Sequence, residues 1–362
     1  MTNSAGAQLR SVKIIGAGLI GTSIALALAQ QGISIAVDDC DRRALSLAND
    51  LLAPYLESER LDNQNFDLII VATPPGGVVE TLKREFRSNS QAIFIDVSSV
   101  KGNLMQEIET LPAISEAFVG THPMAGREVS GASSAQADLF NGRAWIITPT
   151  SRSSGAAIEV ARRLISRLGA SSYEMSASEH DYLMARISHL PQIVSTLIAG
   201  EIGELGPGVE LSGQGLRDVT RIAGSDPLLW SEILLENRQE VIETLEQFLA
   251  GAKRLKDAIS SSRADEIQKV FSRGNDGRAK VSGKHGGKPR NYLHLLVVIR
   301  DEPGALSRLF AECAQVKANI EDLSIEHSPG QESGLITLAF SPEDGEQVEA
   351  HLRKQDWKVH RR

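Results

Sequence analysis

The chain reads as an α/β protein in three parts. The parts are a doubly wound sheet over residues 9–175, an all-helical stretch over 176–276 and, after a linker at 277–290, a βαββαβ block of the ferredoxin-like kind over 291–362. Three observations predict this. An apolar strand runs into three closely spaced glycines near the start; strands and helices alternate from there to about residue 175; and a strand pattern returns after a basic stretch almost free of apolar residues.

The glycines come first. Val12-Lys13-Ile14-Ile15 leads into Gly16-Ala17-Gly18-Leu19-Ile20-Gly21, and an Ala/Leu-rich helix follows from Thr22 to Gln30. G-x-G-x-x-G between a strand and a helix is the Rossmann-type dinucleotide signature. Gly16 turns the chain, Gly18 lets backbone approach a pyrophosphate, and Gly21 lets the helix close on the sheet. The helix start offers N–H groups and a partial positive charge to the phosphates. A second strand, Ile33 to Val37, ends at Asp38, about twenty residues past the first glycine, where an acid binds the ribose hydroxyls. A carboxylate there favours NAD over NADP. Asp39 and Asp41 are close enough to share the role, and Arg42 or Arg43 would soften the exclusion of a 2′-phosphate.

Size and charge set limits. The 362 residues suit two or three domains, and a formal net charge of −8 argues against a nucleic-acid surface. Cys40 and Cys313 stand far apart without partners, so neither a disulfide framework nor a metal site is expected. The apolar run Val12 to Ala29 contains Lys13, three glycines, Thr22 and Ser23 and lacks a basic leader. It is expected to be strand plus helix rather than an export signal or membrane anchor, in a cytoplasmic protein.

The alternation continues with strands at Phe66 to Ala72 (ending at Thr73), Ala92 to Val97 (ending at Ser98-Ser99), Ala117 to Gly120 and Ala144 to Thr148. A helix from Gly155 to Leu168 and a strand near Ser172 to Met175 complete a sheet expected to be parallel. Ligands bind at such strand ends, which makes Thr73 and Ser99 cofactor candidates. One helix is expected over Glu179 to Glu201 with a kink or break at Pro191. Another, capped by Asp226 with Pro227 in its first turn, carries apolar residues from Leu228 to Leu255. That much apolar surface predicts a homodimer. Arg273 to Arg290 reads as solvated linker. In the last block Asp301-Glu302-Pro303-Gly304 turns into the helix Ala305 to Lys317. The strands are Leu293 to Arg300, Ile320 to His327, Gly334 to Phe340 and an edge strand Trp357 to Val359, with a helix from Pro342 to Arg353.

Oxidation of a hydroxyl needs a base, a donor that orients the oxygen, and charged clamps. His122 follows a strand end in Gly120-Thr121-His122-Pro123-Met124-Ala125-Gly126. Its imidazole is largely neutral at pH 7, and Pro123 holds its backbone extended. It is equally a structural histidine bonded to backbone. Ser99 is either a donor to the same oxygen or a helix cap, and Glu128 either orients a neighbour or is solvated. Arg217 and Arg221, four apart and so on one helical face, suit a dicarboxylate with Asp218 beside them, or else form a solvated basic face. His189 lies next to the break at Pro191 and can reach a pocket or sit satisfied in the interior.

Together these segments resemble the prephenate/arogenate dehydrogenase family of tyrosine biosynthesis. The resemblance is carried by Gly16-Ala17-Gly18-Leu19-Ile20-Gly21, Ser98-Ser99-Val100-Lys101-Gly102, Thr121-His122-Pro123-Met124-Ala125-Gly126, Ser188-His189-Leu190-Pro191 and Arg217-Asp218-Val219-Thr220-Arg221-Ile222-Ala223 with Asp226-Pro227 and Trp230. It implies that prephenate is oxidised at its ring hydroxyl by NAD and loses the ring carboxylate as CO2, giving 4-hydroxyphenylpyruvate. His122 then matches the base, Ser99 the residue bonding the hydroxyl near the nicotinamide, and Arg221 the ring-carboxylate clamp. His189, Arg217, Asp218 and Glu128 match residues shaping the pocket or its ionic gate. Several relatives carry a second histidine where this chain has Gln192, at the end that distinguishes prephenate from arogenate. An arogenate dehydrogenase accepting NADP is therefore the alternative, and a catalytically silent amino-acid sensor is the alternative of another class. The last block resembles an ACT domain. That implies feedback by an aromatic amino acid, tyrosine first, bound around Asp301, Pro303, Gly304, Ala305, Leu306, Asn319 and Ile320.

Overall fold

A computed structural model of the chain describes residues 9–55, 65–126, 131–203, 205–281, 292–300, 302–327 and 333–361. It divides into two compact units, Met1–Arg254 and Leu255–Arg362. Glu128, Asp301 and the linker residues 282–290 lie outside the described residues.

The first unit begins with β1 (Ser11–Ile15), α1 (Leu19–Ala29), β2 (Ser34–Asp38), α2 (Arg42–Leu52), β3 (Leu68–Val71), α3 (Val78–Ser88) and β4 (Ile93–Asp96). It continues through α4 (Gly102–Glu109), α5 (Pro112–Ala117), β5 (Phe118–Pro123), β6 (Ala144–Pro149), α6 (Gly155–Arg167) and β7 (Ser171–Glu174). The sheet order is β2-β1-β3-β4-β5-β6-β7. Its central strands, β1, β3, β4 and β5, are largely buried and send alternate side chains to the two faces. Val12, Ile14, Leu68, Ile70, Ile95 and Val119 pack toward α1 and α6, whereas Ile15, Ile69, Val71, Phe94 and Phe118 pack toward α3, α4 and α5. Each buried Leu, Ile or Phe contributes about 1.5–3 kcal/mol, so this double layer is a rigid support for the strand ends.

The parallel sheet expected from the alternation is in fact mixed. β6 pairs antiparallel with β5, with His122 opposite Ile146, and β7 runs parallel to β6. The described residues between β5 and β6 include no crossover helix of the length a parallel return needs, and β6 runs back antiparallel to β5. That pairing extends β5 through His122 to Pro123, four residues beyond Val119, the last residue it pairs with β4.

The helices that follow are α7 (Ala177–Met184), α8 (Leu190–Gly203), α9 (Gln214–Thr220), α10 (Pro227–Glu236) and α11 (Arg238–Ser260). Two expectations change here. Pro191 does not break its helix, because a π-helical turn over Ala185–His189 joins α7 to α8. A proline in a helix clashes with the carbonyl four residues back and offers it no N–H, and a widened turn just before it relieves both. The helix opened by Pro227 is in turn not continuous. It stops at Asn237 (φ −105°, ψ 29°) and restarts at Arg238. No helix among the described residues is long and apolar enough to cross a membrane.

The second unit holds α12 (Ala264–Ala279), β8 (Leu293–Arg300), α13 (Ala305–Gln315), β9 (Asp322–His327), β10 (Ser333–Phe340), α14 (Pro342–Lys354) and β11 (Lys358–Arg361). α12 runs into the first residues of the expected linker. The βαββαβ order appears as expected, in an antiparallel sheet of order β11-β8-β10-β9 with β11 at its edge. Its own core includes Leu295, Val297, Leu309, Leu338, Phe340 and Leu352.

Candidate active site

The glycine loop is built as its sequence requires. Gly16 has φ +115°, and a Cβ there would lie 2.3 Å from the Ala72 carbonyl oxygen. One on Gly21 would lie 2.0 Å from the Gly16 oxygen. Only hydrogen fits at either position. A Cβ on Gly18, by contrast, meets nothing within 4 Å, so its backbone faces open space at the start of α1. At the adjoining end of β3, the Thr73 hydroxyl is buried with no hydrogen-bond partner among the described residues. An open cradle beside an unsatisfied donor fits a dinucleotide phosphate.

The acid at the end of β2 needs reassignment. Asp38 turns its carboxylate toward Lys13, 3.9 Å away, and Lys13 is itself paired with Glu85 at 2.8 Å. Side chains alternate across a strand, so the next residue points the other way. Asp39 lies against the glycine loop, accepting from Ala17 N at 2.6 Å and from Asp41 N at 2.7 Å. Asp41 caps α2 through Arg43 N.

His122 is the least buried residue of β5. Among the described residues its ring is bonded to a side chain and not to backbone. Its Nδ1 lies 2.9 Å from Nε2 of His180, whose Nδ1 lies 2.7 Å from Oδ1 of Asp181. The Asp181 carboxylate also accepts from Lys101 N (3.0 Å) and Gly102 N (2.7 Å), the first amides of α4. It thereby caps that helix across about eighty residues of sequence. Ser99 does not cap the helix: the cap position is Lys101, and Ser99 is half-buried in the β4–α4 loop.

Beneath that loop is a buried ion pair. The Lys101 ammonium, fully buried like its partner, lies 2.7 Å from Asp96 and donates to Ser98 O (2.7 Å) and Ser98 Oγ (2.9 Å). Ser98 also bonds Asp96, and Asp96 accepts from Thr121 N at 3.1 Å. The pair locks the loop that carries Ser99 to the strand that carries His122. A cavity of about 310 Å³ opens at these strand ends, lined by Pro75, Gly76, Ser98, Lys101, Asn103 and Glu236 among others.

Burial holds all three histidines toward their neutral forms. For His122 it is reinforced by the neighbouring His180, Lys101 and His189, and the pKa is well below the usual value. His180 is lowered by burial against the opposing pull of Asp181. His189 is lowered to about 4 by burial.

His189 ends the π-helical turn. It stacks edge-on against Trp230 at 6.0 Å between ring centres and lies 3.3 Å, through Nδ1, from the Asn237 amide nitrogen. The same amide donates to the Asp181 carbonyl at 2.9 Å. One buried side chain thus ties His189 to the helix bearing His180 and Asp181.

The other expected groups are more scattered. Gln192 is buried, and its amide donates to Ile222 O at 2.9 Å, binding α8 to the 3-10 turn Arg221–Gly224. Arg217 and Asp218 are exposed on α9, with Asp218 accepting from Gln214 at 2.8 Å. Arg221 is exposed at the start of the 3-10 turn, so the two arginines do not share one uninterrupted α-helical face. The structure joins His122, Lys101 and His189 through one network of bonds, places Ser99 in the loop that Lys101 anchors, and ties the turn that begins at Arg221 to α8 through Ile222.

In the second unit, a cavity of about 290 Å³ is lined by Ile299, Arg300, Gly304, Ala305, Leu306 and Ile336 among others. Gly304, at φ +86°, starts α13. Asn319 and Ile320 do not line it. Asn319 bonds Glu321 at the surface, and Ile320 packs on the core.

His180, Asp181, Asp96, Asn237 and the buried role of Lys101 went unread in the sequence. One signal was present: Ser176 and Glu179 form a capping box, which starts α7 at Ala177 and places His180 and Asp181 in its first turns.

The profile of the prephenate dehydrogenase nucleotide-binding domain matches residues 24–174, and that of the prephenate dehydrogenase dimerization domain matches 176–273. Together they cover more than half of the 362 residues. The chain belongs to the prephenate dehydrogenase family. Relatives in that family include a probable prephenate dehydrogenase from Streptomyces niveus, 29% identical over 96% of this chain and 99% of the relative. The prephenate dehydrogenase of Bacillus subtilis is 27% identical over 92% and 93%. A crystal structure of prephenate dehydrogenase from A. aeolicus with hydroxyphenyl propionate and NAD+ superposes with a TM-score of 0.68 at 27% identity, over 76% of this chain and 100% of that one. The dimerization profile lies on the helices whose Leu228, Leu235 and Leu249 are exposed here, as the expected intersubunit burial requires.

The depressed His189 pKa has a consequence for stability. Between pH 6.5 and about 4 the unfolded chain binds a proton there that the folded chain refuses, so stability falls as pH falls through that window. The full loss from this group is about 3 kcal/mol. Denaturant midpoints measured at pH 7 and pH 4.5 are expected to converge more closely in His189→Asn than in the native chain; an equal pH effect in both would contradict this.

Proposed function

We propose that the chain is an NAD-dependent prephenate dehydrogenase, oxidising the ring hydroxyl of prephenate with loss of CO2 to give 4-hydroxyphenylpyruvate, and that it acts as a homodimer. The single observation that carries the chemistry is His122, a neutral imidazole held at the carboxyl end of β5 by His180 in a member of this family. The glycine loop, Thr73 and Asp39 would hold the dinucleotide, which when bound supplies the hydride acceptor. His122 takes the hydroxyl proton, Ser99 orients the same oxygen, and Arg221 pairs with the ring carboxylate until it departs. His189 and Trp230 shape the wall beyond, with Arg217 and Asp218 on the outer helix. Carrying the adenosine-ribose acid on Asp39 keeps the preference for NAD, because a carboxylate repels a 2′-phosphate.

His122→Asn keeps the polar shape and removes the base. Turnover is expected to fall by about 10²–10⁴-fold, the usual worth of a positioned base, with cofactor affinity nearly unchanged. An unchanged kcat would overturn the assignment. Initial rates with prephenate or arogenate and with NAD or NADP are expected to favour prephenate and NAD; a preference for arogenate would transfer the same machinery to the amino-acid substrate.

The second unit's sheet and its cavity at the start of α13 support an ACT-type regulatory role, with an aromatic amino acid, tyrosine first, as effector. The first amides of α13 would donate to its carboxylate beside Arg300. A chain truncated after Gly283 is expected to lose tyrosine inhibition while keeping turnover. Full sensitivity in the truncated chain would place the effector in the catalytic pocket instead.

A further inference from the structure

We propose that His180 and Asp181 are positioning residues that fix which nitrogen of His122 is the base. This rests on the reading of His122 as the base and adds the reason it can act as one. The chain of donors and acceptors permits one assignment. Both oxygens of Asp181 take N–H groups from the start of α4, and an ionised carboxylate can only accept. Nδ1 of His180, 2.7 Å from Asp181 Oδ1, is therefore the protonated nitrogen. In a neutral ring that leaves His180 Nε2 as a lone pair, so His122 Nδ1, 2.9 Å away, must be the donor. His122 Nε2 is then a bare lone pair. Burial keeps both rings neutral, as the assignment needs.

The preference matters because a neutral imidazole in water favours neither nitrogen strongly. Without the acceptor behind it, His122 would place its proton on Nε2 in a share of molecules, and those cannot take a proton from a hydroxyl. The proton taken from the substrate stays on His122 Nε2. The imidazolium so formed is stabilised by the Asp181 charge acting through the oriented His180 ring, the arrangement that a buried carboxylate gives a catalytic histidine elsewhere.

Three further features fit a role in orientation. His180 is fully buried, so it cannot itself reach substrate. Its ring meets His122 edge-on, at 5.1 Å and 64°, which aligns the Nε2 lone pair with the Nδ1 proton. Asn237 holds the Asp181 carbonyl, fixing the backbone from which both groups project.

Long-range ¹H–¹⁵N spectra of histidine-labelled full-length protein at neutral pH are expected to show His122 and His180 both protonated at Nδ1. Protonation of neutral His122 at Nε2 would overturn the proposal whatever the kinetics. His180→Gln offers a carbonyl to His122 and an amide N–H to Asp181, preserving the polarity; His180→Leu preserves neither. For His180→Leu, kcat is expected to drop at least 100-fold with KM for both substrates within about threefold, and His122 should show mixed tautomers. His180→Gln should recover to within about tenfold of native. Equal kcat in the Leu and Gln variants, or a loss confined to KM, would contradict the proposal. If His122→Asn retained full turnover, the base assignment itself would fail, an outcome distinct from all of these.

Discussion

The contact on which the site depends is the Asp181 carboxylate seated on the first amides of α4. It joins elements that the sequence keeps far apart: the β4–α4 loop with Ser99, the start of α7 with His180, and through His180 the end of β5 with His122. A carboxylate at a helix N-terminus gains from the helix dipole and from two otherwise unpaired donors. The same group then orients an imidazole. In the proposed mechanism, structural capping and catalytic alignment would share one side chain, and the base would sit at a position set by the sheet.

A second buried charge supports the first. The desolvation of Lys101 and Asp96 costs several kcal/mol, and a well-packed apolar pair would often be no less stable. Its local effect is specificity of shape. Lys101 holds the Ser98 carbonyl and hydroxyl, Asp96 holds Thr121 N, and the loop between β4 and α4 has one arrangement. The irregular helices act in the same direction. The π-helical turn before Pro191 ends at His189, and the break at Asn237 places a buried amide between His189 and Asp181. Both departures from regular helix lie at the site and not elsewhere in α8 or α11, as expected where local strain serves function.

Much of this was legible in the sequence, because the signals were local. Short apolar runs alternating with helices gave the strands of the first unit to within about three residues, the glycine spacing gave the nucleotide loop, and the βαββαβ order of the second unit followed from turn residues between short apolar runs. Errors arose where the deciding interaction is distant. The direction of β6 is set by its pairing with β5, which the run of apolar residues does not reveal. Pro191 is tolerated because the preceding turn widens, which no residue pattern announces. Asp38 and Asp39 differ only in which face of the strand they occupy, a question of register rather than spacing. His180 and Asp181 look like an ordinary polar first turn until β5 and α4 are packed beside them. Gln192, expected at the substrate, is spent on holding the Arg221–Gly224 turn.

Asp181 and His122 are expected to work as one unit, and a double-mutant cycle on kcat/KM tests that directly. Asp181→Asn and His122→Asn should each lower kcat/KM, and the double variant should be little worse than His122→Asn alone, since orienting an absent base brings no gain. Losses that simply add in the double variant would show that Asp181 acts apart from the histidine, and would contradict the central claim.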